Sequence, residues 1–265
     1  MTTLVQSLGD GVVIARRNLL KVKRVPDLIF FSILSPIMFV LLFGYVFGGS
    51  IEIPGMSYRE FLMAGIFAQT VMFGASFTGA GLAEDIQKGV IDRFRSLPMA
   101  RSAVLVGRTT SDLVNNIMVI TVMSLTGLAV GWRVHSSFWS AAAGFALLML
   151  FAYAFSWGMA IVGLLVPSPE VFSNASFMFI FPLSFLANTF ARTETFPAPL
   201  RVFAEWNPVS SITQAVRELF GNTGPQPPTA WPLQHAVLAS LLWIAILLAV
   251  FVPLAIRQYK RAAAR

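Results

Sequence analysis

The stretch that decides the fold spans residues 138–190 and reads FWSAAAGFALLMLFAYAFSWGMAIVGLLV, then PSPE, then VFSNASFMFIFPLSFLANTF. Its two apolar segments, 138–166 and 171–190, contain no Asp, Glu, Lys or Arg. A helix needs roughly 20 consecutive apolar residues to cross the hydrocarbon layer of a bilayer. Because Pro167 can end one helix and Pro169 can begin the next, the stretch predicts a tight hairpin of two membrane-spanning helices.

Segments of the same kind lie on both sides of this hairpin. One of them, 113–130, follows a polar stretch that starts near Ser102, so its helix is predicted to begin below the lipid. Strand-like alternation is missing, and backbone groups in lipid must be hydrogen-bonded internally. The sequence therefore predicts an all-α integral membrane protein with six transmembrane helices, at 28–47, 61–82, 102–130, 138–166, 171–190 and 236–256.

The composition of the 265 residues supports this class of protein. Apolar residues make up 56% of the chain and charged residues 12%, whereas soluble domains are about 25% charged. This balance excludes a soluble enzyme and a disordered chain. The absence of cysteine excludes disulfide scaffolds and thiolate chemistry.

The basic residues are predicted to lie on one side of the membrane. Of the 19 Lys and Arg residues, 14 fall in alternate flanks of the predicted spans, 1–27, 83–112, 167–170 and 257–265. The positive-inside rule then places both termini in the cytoplasm, with 257–265 as a basic tail. The net charge of +7 is better explained by contact with anionic membrane lipid than by nucleic-acid binding.

The first 27 residues are predicted to form an amphipathic helix at the inner membrane surface. Apolar residues recur there every three or four positions, and basic residues supply the other face. The first apolar block begins only at Leu28 and is too long for a cleaved signal peptide. The apolar face comprises Leu4, Leu8, Val12, Ala15, Leu19 and Val22.

The longest predicted cytoplasmic loop contains a second short amphipathic helix, at 90–97. Gly89 permits a sharp break after the second span, and Pro98 ends the short helix. On pattern alone, a lever that receives force and an inert loop on the lipid surface explain the loop equally well. The candidate force-receiving residues are Glu84, Asp85, Gly89, Val90, Asp92, Arg93, Phe94, Arg95 and Pro98.

The largest outer connection predicts a helical hairpin over 197–220. Asn207 can cap its second helix with Pro208 at the first position, and Gly221 can close it. By pattern, this hairpin rests on the lipid surface.

The predicted spans carry few polar groups. Ion pumps and proton-coupled carriers generally need a charged or histidine side chain inside the membrane, so an apolar or amphipathic cargo is favoured. The intramembrane amides, which include Gln69 and Asn116, are expected to be mostly helix-packing contacts. The hypothesis for the substrate path names four residues: Phe43, Phe73, Phe181 and Asn188. No catalytic residue, metal site or bound cofactor is predicted for this chain.

Two motifs resemble the ABC-2-type export permeases, especially the daunorubicin/doxorubicin-resistance branch. The first is GVIDRFRSLP at 89–98, followed by Gly107-Arg108. The second is FPLSFLAN at 181–188, followed by Phe196-Pro197, EWNPV at 205–209 and Arg217. With the six-helix layout, this resemblance covers essentially the whole chain.

The resemblance implies an ABC-2 exporter (type V) architecture in the bacterial plasma membrane. It implies a homodimer driven by two copies of a separate ATPase subunit, which binds the ATP and Mg. The helix at 90–97 would be the coupling helix, with Glu84 and Asp85 at its start and the N-terminal helix beside it. The outer hairpin would dip into the outer leaflet. Independently, the sequence contains no G-x-x-x-x-G-K-[ST] run, so an ATP-driven process needs a partner ATPase.

Three other functions are alternatives. A secondary carrier or channel for a neutral solute is disfavoured because neither an intramembrane charge nor an inverted repeat is found. A lipid-modifying membrane enzyme is disfavoured because no His, Asp and Glu cluster lies at an interface. Among exporters, a glycolipid or cell-envelope precursor remains an alternative to a drug or antibiotic.

Overall fold

The computed structural model describes residues 34–35, 37–47, 53, 55–90 and 101–262, with side chains from 105 onward in the last range. This part of the chain is helical and contains no strand. The predicted N-terminal helix, most of the predicted coupling helix and the last three residues lie outside it. A π-helix occupies Leu42–Phe47 and a 3₁₀ turn Thr193–Thr195. The α-helices are α1 Tyr58–Gln87, α2 Arg101–Ala129, α3 Phe138–Leu165, α4 Pro169–Phe185, α5 Ala198–Trp206, α6 Pro208–Phe220, α7 Trp231–Gln234 and α8 Ala236–Ala262.

Four of the described helices are long and apolar enough to cross a membrane. They are α1, residues Leu105–Ala129 of α2, α3 and α8. The shorter apolar helix Ile37–Val46 lies within the first predicted span. α4 has 17 residues and is also shorter than these four. The described residues thus contain four candidate spans, whereas the sequence predicts six.

The long helices extend beyond the predicted spans at their charged ends. α1 continues to Gln87 and so includes Glu84 and Asp85. α8 continues through the basic residues Arg257, Lys260 and Arg261 to Ala262. Charged residues end a hydrophobic segment, but Glu, Lys and Arg are good helix formers, so a helix can continue through them.

α4, by contrast, is shorter than the predicted span. This helix ends at Phe185, whereas the span was predicted to reach residue 190. Residues 186–190 form a non-helical turn. Their apolar composition matches that of a span, but α6 binds their backbone, as described below.

α1 is the centre of the bundle. It packs most extensively against α3 and also contacts α2, α4 and α6. Glycines bring α1 and α3 together: a β-carbon added at Gly163 of α3 would lie 2.6 Å from the Cα of Gly79 of α1. Small residues at such a crossing allow the close backbone contact on which helix association in membranes depends.

The outer hairpin shows the predicted capping chemistry. The Oδ1 of Asn207 accepts a hydrogen bond of 2.9 Å from the backbone N–H of Val209, with Pro208 at the first helical position. α6 ends at Gly221, whose φ of 73° is left-handed. The predicted cap and helix end are therefore confirmed.

Candidate functional site

A cavity of about 360 Å³, called the central cavity below, opens on a side of the bundle where Phe177 and Phe181 are 55% and 40% exposed. Residues 66–77 of α1 form one wall, and α2, α4 and the chain before the π-helix form the others. The volume falls in the range of roughly 300–1,000 Å³ that is typical of small-molecule sites. Its lining residues are Ser35, Phe39, Ile66, Gln69, Thr70, Phe73, Gly74, Ser76, Phe77, Asn116, Val119, Phe177 and Phe181.

Aromatic side chains dominate one side of this cavity. The rings of Phe73 and Phe177 are 6.4 Å apart, and those of Phe177 and Phe181 are 5.1 Å apart. The stack continues along α4 to Phe185, whose ring centroid is 4.1 Å from that of Phe181. Such faces provide a large apolar contact area for a bound molecule.

Two amides stand among the cavity's other lining residues. Gln69 of α1 is 4% exposed and Asn116 of α2 is 2% exposed. The Nε2 of Gln69 and the Oδ1 of Asn116 have no hydrogen-bond partner. Asn116 packs directly on Gly74, where a β-carbon would collide with its amide. These amides were expected to pack between helices. That role does not explain why the two atoms lack a hydrogen-bond partner.

The four residues of the predicted substrate path lie in three places. Phe73 and Phe181 line the central cavity. Phe43 stacks on Phe190, with ring centroids 4.6 Å apart, and is not among the cavity's lining residues. Asn188 lies in the turn after α4, where it lines a second cavity of about 280 Å³.

A buried arginine ties α6 to α1 and to the turn after α4. Arg217 of α6 is 2% exposed, and its carbon Cζ lies 3.5 Å from the ring centroid of Phe61. Its Nε donates to the carbonyl oxygen of Phe61 at 2.9 Å, and its Nη2 donates to that of Asn188 at 2.7 Å. Burial lowers the pKa of Arg217 to about 9, so the guanidinium stays charged at neutral pH.

More hydrogen bonds tie α6 to the end of α4. The Nδ2 of Asn207 donates to the carbonyl oxygens of Leu183 and Leu186, at 2.8 and 3.1 Å. The hydroxyl oxygen of Ser210 accepts from the backbone N–H of Asn188 at 3.0 Å. The backbone groups that the early end of α4 leaves open are therefore bonded by side chains of α6.

At the other end of the bundle, ionic contacts join α1 to α2. Arg108 of α2 forms a buried ion pair with Asp85 of α1, and a β-carbon at Gly81 would occupy the space of its guanidinium. One turn further along α2, Asp112 accepts a hydrogen bond from the hydroxyl of Thr78. Arg108 and Asp112 are four residues apart, which places them on the same face of a helix. This spacing could be read from the sequence, but their partners on α1 could not.

These contacts border the predicted coupling segment. Glu84 pairs with Lys88 at 2.6 Å on the exposed side of α1. Gly89 follows with a left-handed φ of 63°, which agrees with the predicted break, and Val90 is the last residue described before the gap. The other candidate residues, Asp92, Arg93, Phe94, Arg95 and Pro98, lie outside the described residues.

Comparison with known proteins gives a consistent result. The family model for ABC-2 type transporters matches residues 11–220. The daunorubicin resistance ABC transporter permease protein DrrB1 of Streptomyces coeruleorubidus is 32% identical over 244 residues, which are 92% of this chain and 83% of that protein. Proteins named as transport permease ycf38 from Cyanophora paradoxa and Porphyra purpurea are 23% and 24% identical. Those two matches cover 80% and 79% of this chain, and 74% and 73% of the relatives.

Proposed function

The chain belongs to the ABC-2 type transporter family and is a transmembrane subunit of an ATP-binding-cassette exporter, and we propose that it moves lipophilic or amphipathic compounds out of the cell. The central cavity is the observation that carries this choice of cargo. Its walls combine aromatic and aliphatic side chains with neutral polar ones, and among the described residues that line it there is no Asp, Glu, Lys, Arg or His. A highly charged cargo would lose its hydration there and find no counter-charge.

A relative's name supports the same class of cargo. One relative is a daunorubicin resistance permease, and the match covers 83% of that protein. We extend to this chain only the chemical class, a lipophilic compound such as a drug or antibiotic. Phe73 and Phe181 are the path residues that line the cavity, whereas Phe43 lies against Phe190 and Asn188 lines the second cavity.

Energy for export comes, in this proposal, from a separate ATPase subunit. The sequence lacks a phosphate-binding loop of the Walker type, so two copies of the partner bind ATP and Mg while two copies of this chain form the membrane dimer. The coupling helix at 90–97 sits in a groove of the ATPase. The ion pair between Asp85 and Arg108 supports this assignment, because it joins the two helices that flank the coupling segment.

The chain is a multi-pass membrane protein. We propose the following number of spans and orientation. Six spans cross the bacterial plasma membrane, with the helix at 1–27 on the inner surface and both termini in the cytoplasm. The surplus of basic residues in the odd-numbered flanks supports this orientation. The helices α5 and α6 then lie on the outer side.

Transport measurements test the function. Inside-out vesicles that contain this chain and its ATPase should take up a lipophilic fluorescent drug in a manner that needs ATP and is blocked by vanadate. Phe73→Ala and Phe181→Ala should each reduce uptake severalfold, because each removes a ring from the cavity wall. Phe138→Ala is the matched control, since that ring is 77% exposed on the bundle surface. Uptake that is insensitive to vanadate would contradict the proposal, as would equal effects of all three substitutions.

A further inference from the structure

Side-chain contacts between α1 and α2 form a row that runs from the proposed coupling segment to the central cavity. On α1 the contributing positions are four and seven residues apart, and on α2 they are four apart, so each set lies on one helix face. At 1.5 Å per residue, the row extends about 16 Å along α1. Its three rungs, called the α1–α2 ladder below, are Asp85–Arg108, Thr78–Asp112 and Gly74–Asn116.

We propose that the α1–α2 ladder makes the two helices move as one unit, and that it carries movement of the ATPase from the coupling segment to the wall of the central cavity. The first rung is close to the coupling segment, since Asp85 lies five residues before Val90. The last rung lies in the cavity wall, because Gly74 and Asn116 are both lining residues. The inference rests on the proposed function, because it needs an ATPase that moves the coupling segment and a cargo in the cavity.

The first rung holds the two helices in one register. The side chains of Asp85 and Arg108 are each 10% exposed, and breaking a buried ion pair is strongly unfavourable. The guanidinium also lies where Gly81 has no side chain, so that a β-carbon at Gly81 would occupy its space. Movement of α2 along α1 would therefore break the ion pair and push the guanidinium out of the space that the glycine leaves.

The other two rungs continue this register toward the cavity. One turn of α2 beyond Arg108, the carboxylate of Asp112 accepts a hydrogen bond from the buried hydroxyl of Thr78. After one more turn, the amide of Asn116 packs on Gly74, where a β-carbon would collide with it. Chains of packed side chains and hydrogen bonds are the contacts that carry energetic coupling between distant sites. The three rungs together therefore join the coupling segment to the cavity.

Movement of α1 and α2 as a unit would change the shape of the central cavity. The unit contributes Phe73 and Val119 to the lining, whereas α4 contributes Phe177 and Phe181. The rings of Phe73 and Phe177 are 6.4 Å apart across this boundary. A displacement of the unit relative to α4 would separate these rings or press them together, so the ATPase would alter cargo binding without touching the cavity.

A hydroxyl substitution in the middle rung separates coupling from stability. Thr78→Val should lower the amount of drug exported per ATP hydrolysed severalfold, because the bond between the helices is lost while ATP hydrolysis continues. Thr109→Val is the matched control: its hydroxyl is equally buried, but it donates to the carbonyl oxygen of Leu105 on its own helix at 3.0 Å. Uptake of a lipophilic fluorescent drug and ATP hydrolysis are measured in the same inside-out vesicles. Equal export per ATP in wild type and both variants would contradict the ladder.

A reversible cross-link tests whether the two helices move together. Because the chain has no cysteine, Asp85→Cys combined with Arg108→Cys introduces its only two thiols, which a short bifunctional methanethiosulfonate can join. The unlinked variant should hydrolyse ATP but export poorly. Cross-linking should raise export per ATP severalfold, and dithiothreitol should remove the gain. Each single-cysteine variant treated with the same reagent is the control for modification without a link.

The contradicting outcomes are distinct. If the unlinked variant exports as much per ATP as wild type, the first rung is not needed and the ladder is wrong. If the cross-link stops export or fails to restore it, α1 and α2 do not act as one unit, and the inference is wrong while the proposed function stands. If the wild-type protein shows no ATP-dependent uptake that vanadate blocks, the proposed function is wrong and the inference fails with it.

Discussion

Gly163 of α3 and Gly79 of α1 meet with their backbones in contact, so that a β-carbon at position 163 would lie 2.6 Å from the Cα of Gly79. The obstacle is backbone, which cannot rotate away as a side chain can. Gly163→Ala should therefore separate the two helices and destabilise the protein by about 1–3 kcal/mol. Unfolding in detergent micelles measures this. Gly44→Ala is the control, since its new β-carbon would meet only the side chain of Arg59 at 3.9 Å; equal losses for both would contradict the close crossing.

The buried ion pair between Asp85 and Arg108 should make single substitutions more harmful than the double substitution. Arg108→Met removes the guanidinium that faces the buried carboxylate of Asp85, and breaking a buried pair in this way costs about 3–5 kcal/mol. Adding Asp85→Leu should recover much of that loss, because both charges are then gone. The free energies of unfolding of the four proteins form a double-mutant cycle. Purely additive losses would show that the pair does not act as a unit.

Glu218 of α6 should make stability depend on pH. Burial raises its pKa above the ordinary value of 4.5, although a hydrogen bond from Gln214 opposes the shift. Between the ordinary and the raised pKa the folded protein binds more protons than the unfolded chain, so stability falls as the pH rises through this window. Glu218→Gln should therefore have a higher melting temperature than wild type at pH 7, and this difference should vanish near pH 4.

The matched control for Glu218 is Glu205→Gln. The carboxylate of Glu205 accepts a hydrogen bond of 2.7 Å from the Nε of Arg201, so its neutralisation should give no gain at pH 7. A gain of the same size in both variants would indicate a general effect of lowering the negative charge.

The proposed coupling helix is tested by reversing two charges in its sequence. Arg93→Glu combined with Arg95→Glu should leave membrane insertion and ATP hydrolysis measurable but abolish export, because the contact with the ATPase is lost. Export and hydrolysis are measured in the same vesicles. Arg133→Glu, in the loop between α2 and α3, provides the same charge change away from the coupling segment and should export normally. Wild-type export by the double variant would exclude the assignment.

The described long helices could be predicted from sequence because long charge-free segments have few alternatives in a membrane protein. The segment 138–166 matches α3, Phe138–Leu165, within one residue. The end of α4 could not be predicted. Hydropathy measures the preference of residues 186–190 for lipid, and it contains no information on the side chains of Asn207 and Arg217 that bind their backbone.

For the polar residues of the candidate site, the sequence shows which residue types are present but not what they contact. The sequence identifies Gln69 and Asn116 as intramembrane amides, but whether they pair or face a cavity depends on the rotation of α1 and α2 about their axes. A change of 100° in that rotation, one residue along a helix of 3.6 residues per turn, would exchange Asn116 with Asn115. The partners of Arg108 are unpredictable for the same reason.

The dependence of α4 on α6 has a consequence for biosynthesis. The carbonyl groups of Leu183, Leu186 and Asn188 receive their hydrogen bonds from Asn207 and Arg217, which leave the ribosome about 20 to 30 residues later. In the proposed six-span arrangement, a nascent chain that ends between these positions has a helix whose final turn is unsatisfied in hydrocarbon. The hairpin of α3 and α4 should therefore stay beside the insertion machinery, and reach its final depth only once α6 has emerged.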